Sequence, residues 1–201
     1  MNLLSFHAET HRYFVDGIEL PAVTAILQPA YSDVFRKIDP DVLAEKQLLG
    51  TYVHLACELE DRGTLIESTV DAVVYPYLDA WRRFKIECRP TILLNEQRLF
   101  HPKWRYAGTL DRLLEFAGAK WLVDLKTAVA FYPPVAMQLA AYVDLVKSNY
   151  PEHQALKRGA LKLKSDGSYS FNPYPAASND WPAFIGLLNY HHWRVSHGIE
   201  D

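Results

Sequence analysis

A chain of 201 residues, 49% hydrophobic and 22% charged, can build a packed core without a metal or disulfide staple, and global disorder is excluded. The 21 Lys and Arg against 24 Asp and Glu leave a net charge of −3. That excludes a protein held to nucleic acid by bulk positive charge, although not an enzyme that concentrates its charges at a cleft. The cysteines, Cys57 and Cys88, exclude a disulfide framework and a four-cysteine zinc or iron–sulfur site. No run of about 18 apolar residues marks a membrane helix. The opening MNLLSFHAETHR lacks the basic-then-apolar order of a secretion signal, so a reducing cytoplasm is expected.

One domain is expected over residues 1–201, with 1–38 an N-terminal hairpin and helix elaboration. Residues 11–20 alternate around Asp16-Gly17, a hairpin turn. A short helix follows Pro21 and ends near Pro29. Asp39 caps the next helix and Pro40 takes its first position; it runs to Arg62, with a break or kink expected at Gly50 and a stop at Gly63. A second long helix fits 68–88, its stripe of Val70, Val73, Val74, Tyr77, Trp81 and Phe84 bent at Pro76. The period then changes. Residues 91–100, 105–116 and 120–126 read as strands of an antiparallel meander. Pro133-Pro134 opens an apolar helix to about Asn149; 158–164 and 168–172 form a hairpin around Asp166-Gly167, and a helix over 180–197 closes the chain. This order predicts an α/β (α+β) sheet with helices on its faces rather than repeated βαβ units.

Asp124 and Lys126, two apart on a predicted strand, emerge on one face, while Val123 and Leu125 turn into the core. Asp111 lies 13 positions earlier, where hairpin pairing would set it opposite Asp124. Two aspartates about 4 Å apart could bind a hard cation such as Mg²⁺, with the lysine beside the water that the metal activates. An isolated Asp-x-Lys is usually an exposed ion pair; company argues for more. His54 and Glu58 are spaced i, i+4 on the first long helix, and Gln138 and Tyr142 likewise on the helix after the Asp-Lys strand.

The series Gly50-Thr51-x-x-His54-x-x-x-Glu58, Gly108-Thr109-x-Asp111, Val123-Asp124-x-Lys126-Thr127 and Gln138-x-x-x-Tyr142 resembles the nuclease core of the PD-(D/E)XK superfamily, closest to its RecB-type branch. The resemblance covers about residues 50–145. Residues 11–27, HRYFVDGIELPAVTAIL, resemble the stretch before this core in phage and prophage nucleases. The resemblance implies a restriction-endonuclease-like mixed sheet flanked by helices. It implies a Mg²⁺- or Mn²⁺-dependent deoxyribonuclease, an exonuclease serving phage DNA recombination or processing inside a bacterial host cell. His54, Asp111, Asp124 and the Leu125 carbonyl would ligate the metal. Lys126 would orient and help deprotonate the water or stabilise charge on the phosphate. Gln138 and Tyr142 would contact the scissile-strand phosphates or brace Lys126, Glu58 would stand behind the ligands, and Glu96 fills a place that is often polar or acidic in the family. Some relatives carry a four-cysteine iron–sulfur cluster; Cys57 and Cys88 cannot supply one. DNA is the expected partner, no membrane is, and a phage recombination partner or a homo-oligomer stays open. Two other classes fit the same residues: a catalytically silent nucleic-acid-binding or regulatory protein, and a Mg²⁺-dependent nucleotide phosphohydrolase.

The remaining polar features divide less sharply. His7, His11, His191, His192 and His197 lack the spacing of a closed metal site. Arg82, Arg83, Lys85 and Arg89 suit a helix C-terminus. Arg98, Arg105, Lys162 and Lys164 are candidate DNA contacts. The loop with Lys103, Trp104 and Tyr106 reads either as a base-stacking loop or as core-edge aromatics.

Overall fold

Three short strands open the chain: β1 (Leu4–His7), β2 (Arg12–Val15) and β3 (Ile18–Leu20) pair in order as an antiparallel sheet, turning at Asp16-Gly17 with φ of 51° and 80°. In this computed structural model residues 3–36, 38–128, 130–177 and 179–199 are described, residue 33 by its backbone alone. Residues 1, 2 and 37 of the expected elaboration lie outside them.

After Pro21 come two helices, α1 (Val23–Ile26) and α2 (Gln28–Phe35). Pro29 sits in the first turn of α2, where no intrahelical partner awaits its missing N–H, so it starts a helix instead of ending one. The helix α3 (Pro40–Arg62) is capped by Asp39, whose side chain accepts from Asp41 N at 2.9 Å, and it ends at Gly63 with φ 67°. It runs through Gly50 without the break considered there. The second long helix is shorter than its apolar stripe predicts. A single 3-10 turn, Glu67–Thr69, precedes α4 (Tyr75–Cys88), and Pro76 lies in the first turn of α4, where it bends nothing.

The meander is β4 (Thr91–Phe100), β5 (Ala107–Phe116) and β6 (Ala119–Lys126). The helix α5 (Pro134–Asn149) then carries the chain back so that β7 (Leu156–Leu163) lies parallel to β6, and β8 (Tyr169–Pro173) closes antiparallel after the Asp166-Gly167 turn. The result is a five-stranded mixed sheet in the order β4-β5-β6-β7-β8, flanked by helices, as expected for the fold class. On one face Val53, Cys57, Leu78, Trp81 and Phe84 of α3 and α4 pack on Leu114, Val123, Leu125 and Leu161. On the other, Leu139, Tyr142 and Leu145 of α5 join Phe184 and Leu188 of α6 (Asp180–Ser196) over Leu113, Leu122 and Ala160. Covering both faces explains why β6 reads, from Trp121 to Leu125, as an apolar run that only Asp124 interrupts.

The N-terminal sheet is fastened to β5: Ala107 N donates to Pro21 O at 2.9 Å, and Tyr13 Oη shares a 2.8 Å hydrogen bond with Thr109 Oγ1. Gly108 admits the ring of Tyr142; a Cβ there would lie 2.7 Å from Tyr142 Cε1 and 3.2 Å from Val23 Cγ2. Thus Gly108 and Thr109 hold α5 and the N-terminal sheet against the strand that carries Asp111. Gly108→Ala is expected to destabilise the fold by about 1–3 kcal/mol through overpacking, read as a lowered denaturation midpoint. An unchanged midpoint would mean that the Tyr142 ring yields freely.

Candidate active site

Asp111 and Asp124 come immediately after the Arg112–Val123 pair in the β5–β6 register, so the two carboxylates start from facing strand positions. Asp111 Oδ2 accepts from Leu125 N at 2.6 Å, which fixes its carboxylate across the strand end. Its other oxygen lies 3.5 Å from His54 Nδ1 on α3. The second ring nitrogen of His54 is 3.1 Å from Leu125 O, so one imidazole spans from Asp111 to the β6 backbone. Glu96 Oε1 stands 3.6 Å from His54 Nδ1, and ligand atoms of His54, Glu96 and Asp111 all lie within 4.8 Å of one another.

Glu96 reaches this cluster from an unusual backbone. Its φ is +46°, a left-handed conformation inside a strand, where a non-glycine residue costs on the order of 1–3 kcal/mol. Arg112 helps to hold it: Nη1 donates to Glu96 Oε1 at 3.0 Å and to Asp111 O at 2.7 Å, while Nε donates to Asp61 Oδ2 at 2.9 Å. The Asp61 side chain, 1% exposed, also accepts from Trp81 Nε1 and Lys85 Nζ, each at 2.9 Å. A buried chain of alternating charge therefore runs from Lys85 through Asp61 and Arg112 to Glu96 and His54. Sequence reasoning missed Asp61 and Arg112. The available signal was the helical face shared by His54 and Asp61, seven residues apart.

The Asp-Lys pair faces the opposite helix. Lys126 Nζ lies 2.8 Å from Asp124 Oδ2 and donates to Gln138 Oε1 on α5 at 3.2 Å. The buried Asp124 carboxylate is held by this ion pair. Lys126 touches one carboxylate rather than two; Asp111 acts on it only through its field. Tyr142 is buried one turn beyond Gln138, against Gly108.

These contacts set the charges. Burial disfavours the His54 cation, but Asp111 and Glu96 outweigh it and push its pKa up to about 10. Burial likewise opposes ionisation of Asp111, yet His54 and Lys126 hold its pKa below the ordinary value. Burial pushes Asp124 up to about 6, with Asp111 adding to the rise and Lys126 opposing it. Burial also works against the Lys126 cation, but Asp124 outweighs it and raises the pKa, so the lysine stays charged.

The other expected site residues have contacts of their own. The Glu58 carboxylate meets Arg62 at 2.6 Å on its own helix; the acid that supports the cluster from α3 is Asp61. Arg98 lies over Phe6 of the N-terminal sheet at 4.5 Å, and Arg105 occupies the loop before β5 with φ 54°. Lys162 is paired with Lys126 in the β6–β7 register and so shares its sheet face. Lys164 begins the β7–β8 turn. The loop before β5 is core-edge: Trp104 packs on Trp181, and Tyr106 is buried, donating to Ala141 O at 3.0 Å.

No protein family matches the sequence, and no curated protein does. Among solved structures, the chain is similar to a provisionally named exonuclease from Eubacterium rectale, at 10% identity and a TM-score of 0.48, over 78% of this chain and 69% of that one. Among the described residues, no helix is long and apolar enough to cross a membrane.

Proposed function

We propose that this chain is a divalent-metal-dependent deoxyribonuclease of the PD-(D/E)XK type, an exonuclease of the RecB-type branch that processes phage or prophage DNA. The observation that carries the reading is the cluster of His54, Glu96 and Asp111, with the Asp124–Lys126 ion pair on the adjacent strand. The donor set suits a hard cation: His54, Glu96 and Asp111 offer ligand atoms within 4.8 Å of one another, and the buried Asp124 carboxylate starts from the strand position facing Asp111. His54, Asp111, Asp124 and the Leu125 carbonyl would hold Mg²⁺ or Mn²⁺, with Glu96 next to them. When bound, the ion supplies Lewis-acid polarisation of the phosphate and a more acidic water.

The chain's own residues do the rest. Lys126, kept charged and braced by Gln138, offers a fixed cation to the phosphate oxygens; its raised pKa suits charge stabilisation better than proton abstraction. The bond from Leu125 N orients Asp111, and His54 must give up its proton before a metal can take that nitrogen. The test is digestion of end-labelled DNA in Mg²⁺ and in Mn²⁺. The parent is expected to degrade it, chelation to stop it, and Asp124→Asn to lose about 10²-fold or more. Phosphate release from free nucleotides with labelled DNA left intact would replace this reading with a nucleotide phosphohydrolase.

A further inference from the structure

A set of rings gathers on the side of the sheet that carries Lys126 and Gln138. Tyr31 and Phe35, one turn apart on α2, stack at 5.4 Å with an interplanar angle of 11°, and Phe35 meets Tyr132 edge-on at 5.2 Å. Phe131, next in the chain to Tyr132, meets Tyr174 at 6.5 Å, and Lys162 Nζ lies 5.2 Å from the Phe131 centroid. All five rings are half-buried, and Tyr31, Phe131 and Tyr174 pack at the edge of the core. Tyr31 ties them to the site. Tyr31 Oη donates to Gln138 Oε1 at 3.4 Å, the same oxygen that accepts from Lys126. Burial raises the pKa of both Tyr31 and Tyr174, and both hydroxyls sit in the fields of Asp124 and Lys126.

Resting on the nuclease reading, we propose that this aromatic rim is a base-stacking platform that makes unpaired, single-stranded DNA the substrate. A duplex closes its base faces within the stack, so rings beside the site engage only bases that are already unpaired. A net charge of −3 gives weak bulk attraction for a duplex backbone, whereas stacking works without it. Lys162 above Phe131 places one cation where the phosphate next to a stacked base would lie.

The experiment separates the rim from the chemistry. Fluorescence anisotropy of short labelled oligo(dA), in chelator, reads binding alone; digestion in Mn²⁺ of the same strand and of a blunt hairpin duplex reads turnover. The single strand is expected to bind, and to be digested, at least about tenfold better than the duplex. Phe131→Ala and Phe35→Ala are each expected to lose about tenfold on the single strand with little change on the duplex, and Phe131→Trp to restore it, since a larger ring stacks as well. Phe131→Leu, which keeps apolar bulk without a ring, is expected to behave like Phe131→Ala, which separates stacking from folding. Equal or better handling of the duplex, or alanine variants indistinguishable from the parent, would overturn the proposal. Ring-dependent binding of oligo(dA) without digestion in Mn²⁺ would support the platform and overturn the nuclease reading instead.

Discussion

Lys126→Ala is expected to slow DNA cleavage by about 10²–10³-fold while cation binding survives. The lysine contacts Asp124 and Gln138 and none of the other candidate ligands, so its loss leaves His54, Glu96 and Asp111 in place. What goes is a charge fixed beside the reacting phosphate. Water cannot replace it at the same strength, because a mobile dipole must reorganise for each turnover. Asp124 also loses its cationic partner, so its pKa rises further above 6 and the variant's activity shifts toward higher pH. The check pairs a rate–pH profile on labelled DNA with calorimetric Mn²⁺ titration. Parent-like digestion in both Mg²⁺ and Mn²⁺ would reduce the Asp-Lys pair to a salt bridge on a sheet.

Arg112→Met is expected to cost about 3–5 kcal/mol of stability, since removing one partner of a buried ion pair strands the other. Arg112 is wholly buried between Asp61 and Glu96 and stacks over Trp81 at 5.5 Å, so methionine can fill the volume but not the charge. Asp61 would keep Lys85 and Trp81, whereas Glu96 would keep only the histidine, and its strained backbone would relax away from the cluster. Adding Asp61→Asn to Arg112→Met should cost less than the sum of the single changes, because it removes the stranded charge. Denaturant unfolding of the three variants reads both effects. A single variant as stable as the parent would mean that water already reaches the network.

Much of this arrangement was legible in the sequence where local chemistry governs it. The Asp39-Pro40 cap, the Asp16-Gly17 and Asp166-Gly167 turns and the meander each depend on residues within a few positions. The Asp-Lys strand and the Gln138 helix were legible because strand and helix periods place their side chains. Helix starts were misjudged at Pro29 and Pro76, since an apolar stripe does not distinguish a proline that opens a helix from one inside it. What lay beyond local rules was the second ring of contacts. Arg112, beside Asp111 on a strand, reads as an outward partner of solvent until α3 and α4 cover that face. Glu58 has an ideal helical spacing from His54, but Arg62 at i+4 captures it. Tyr31 reaches Gln138 across 107 positions, and the turned backbone of Glu96 has no signature in its residue type.

The most direct measurement is a crystal of the parent protein soaked in Mn²⁺ and examined at the manganese absorption edge. The account predicts an anomalous peak between Asp111 and Asp124, within about 2.0–2.6 Å of a carboxylate oxygen of each and with His54 turned onto it. A peak held by His54 and Glu96 without Asp124, or none in the cluster while Lys126 stays paired with Asp124, would contradict it.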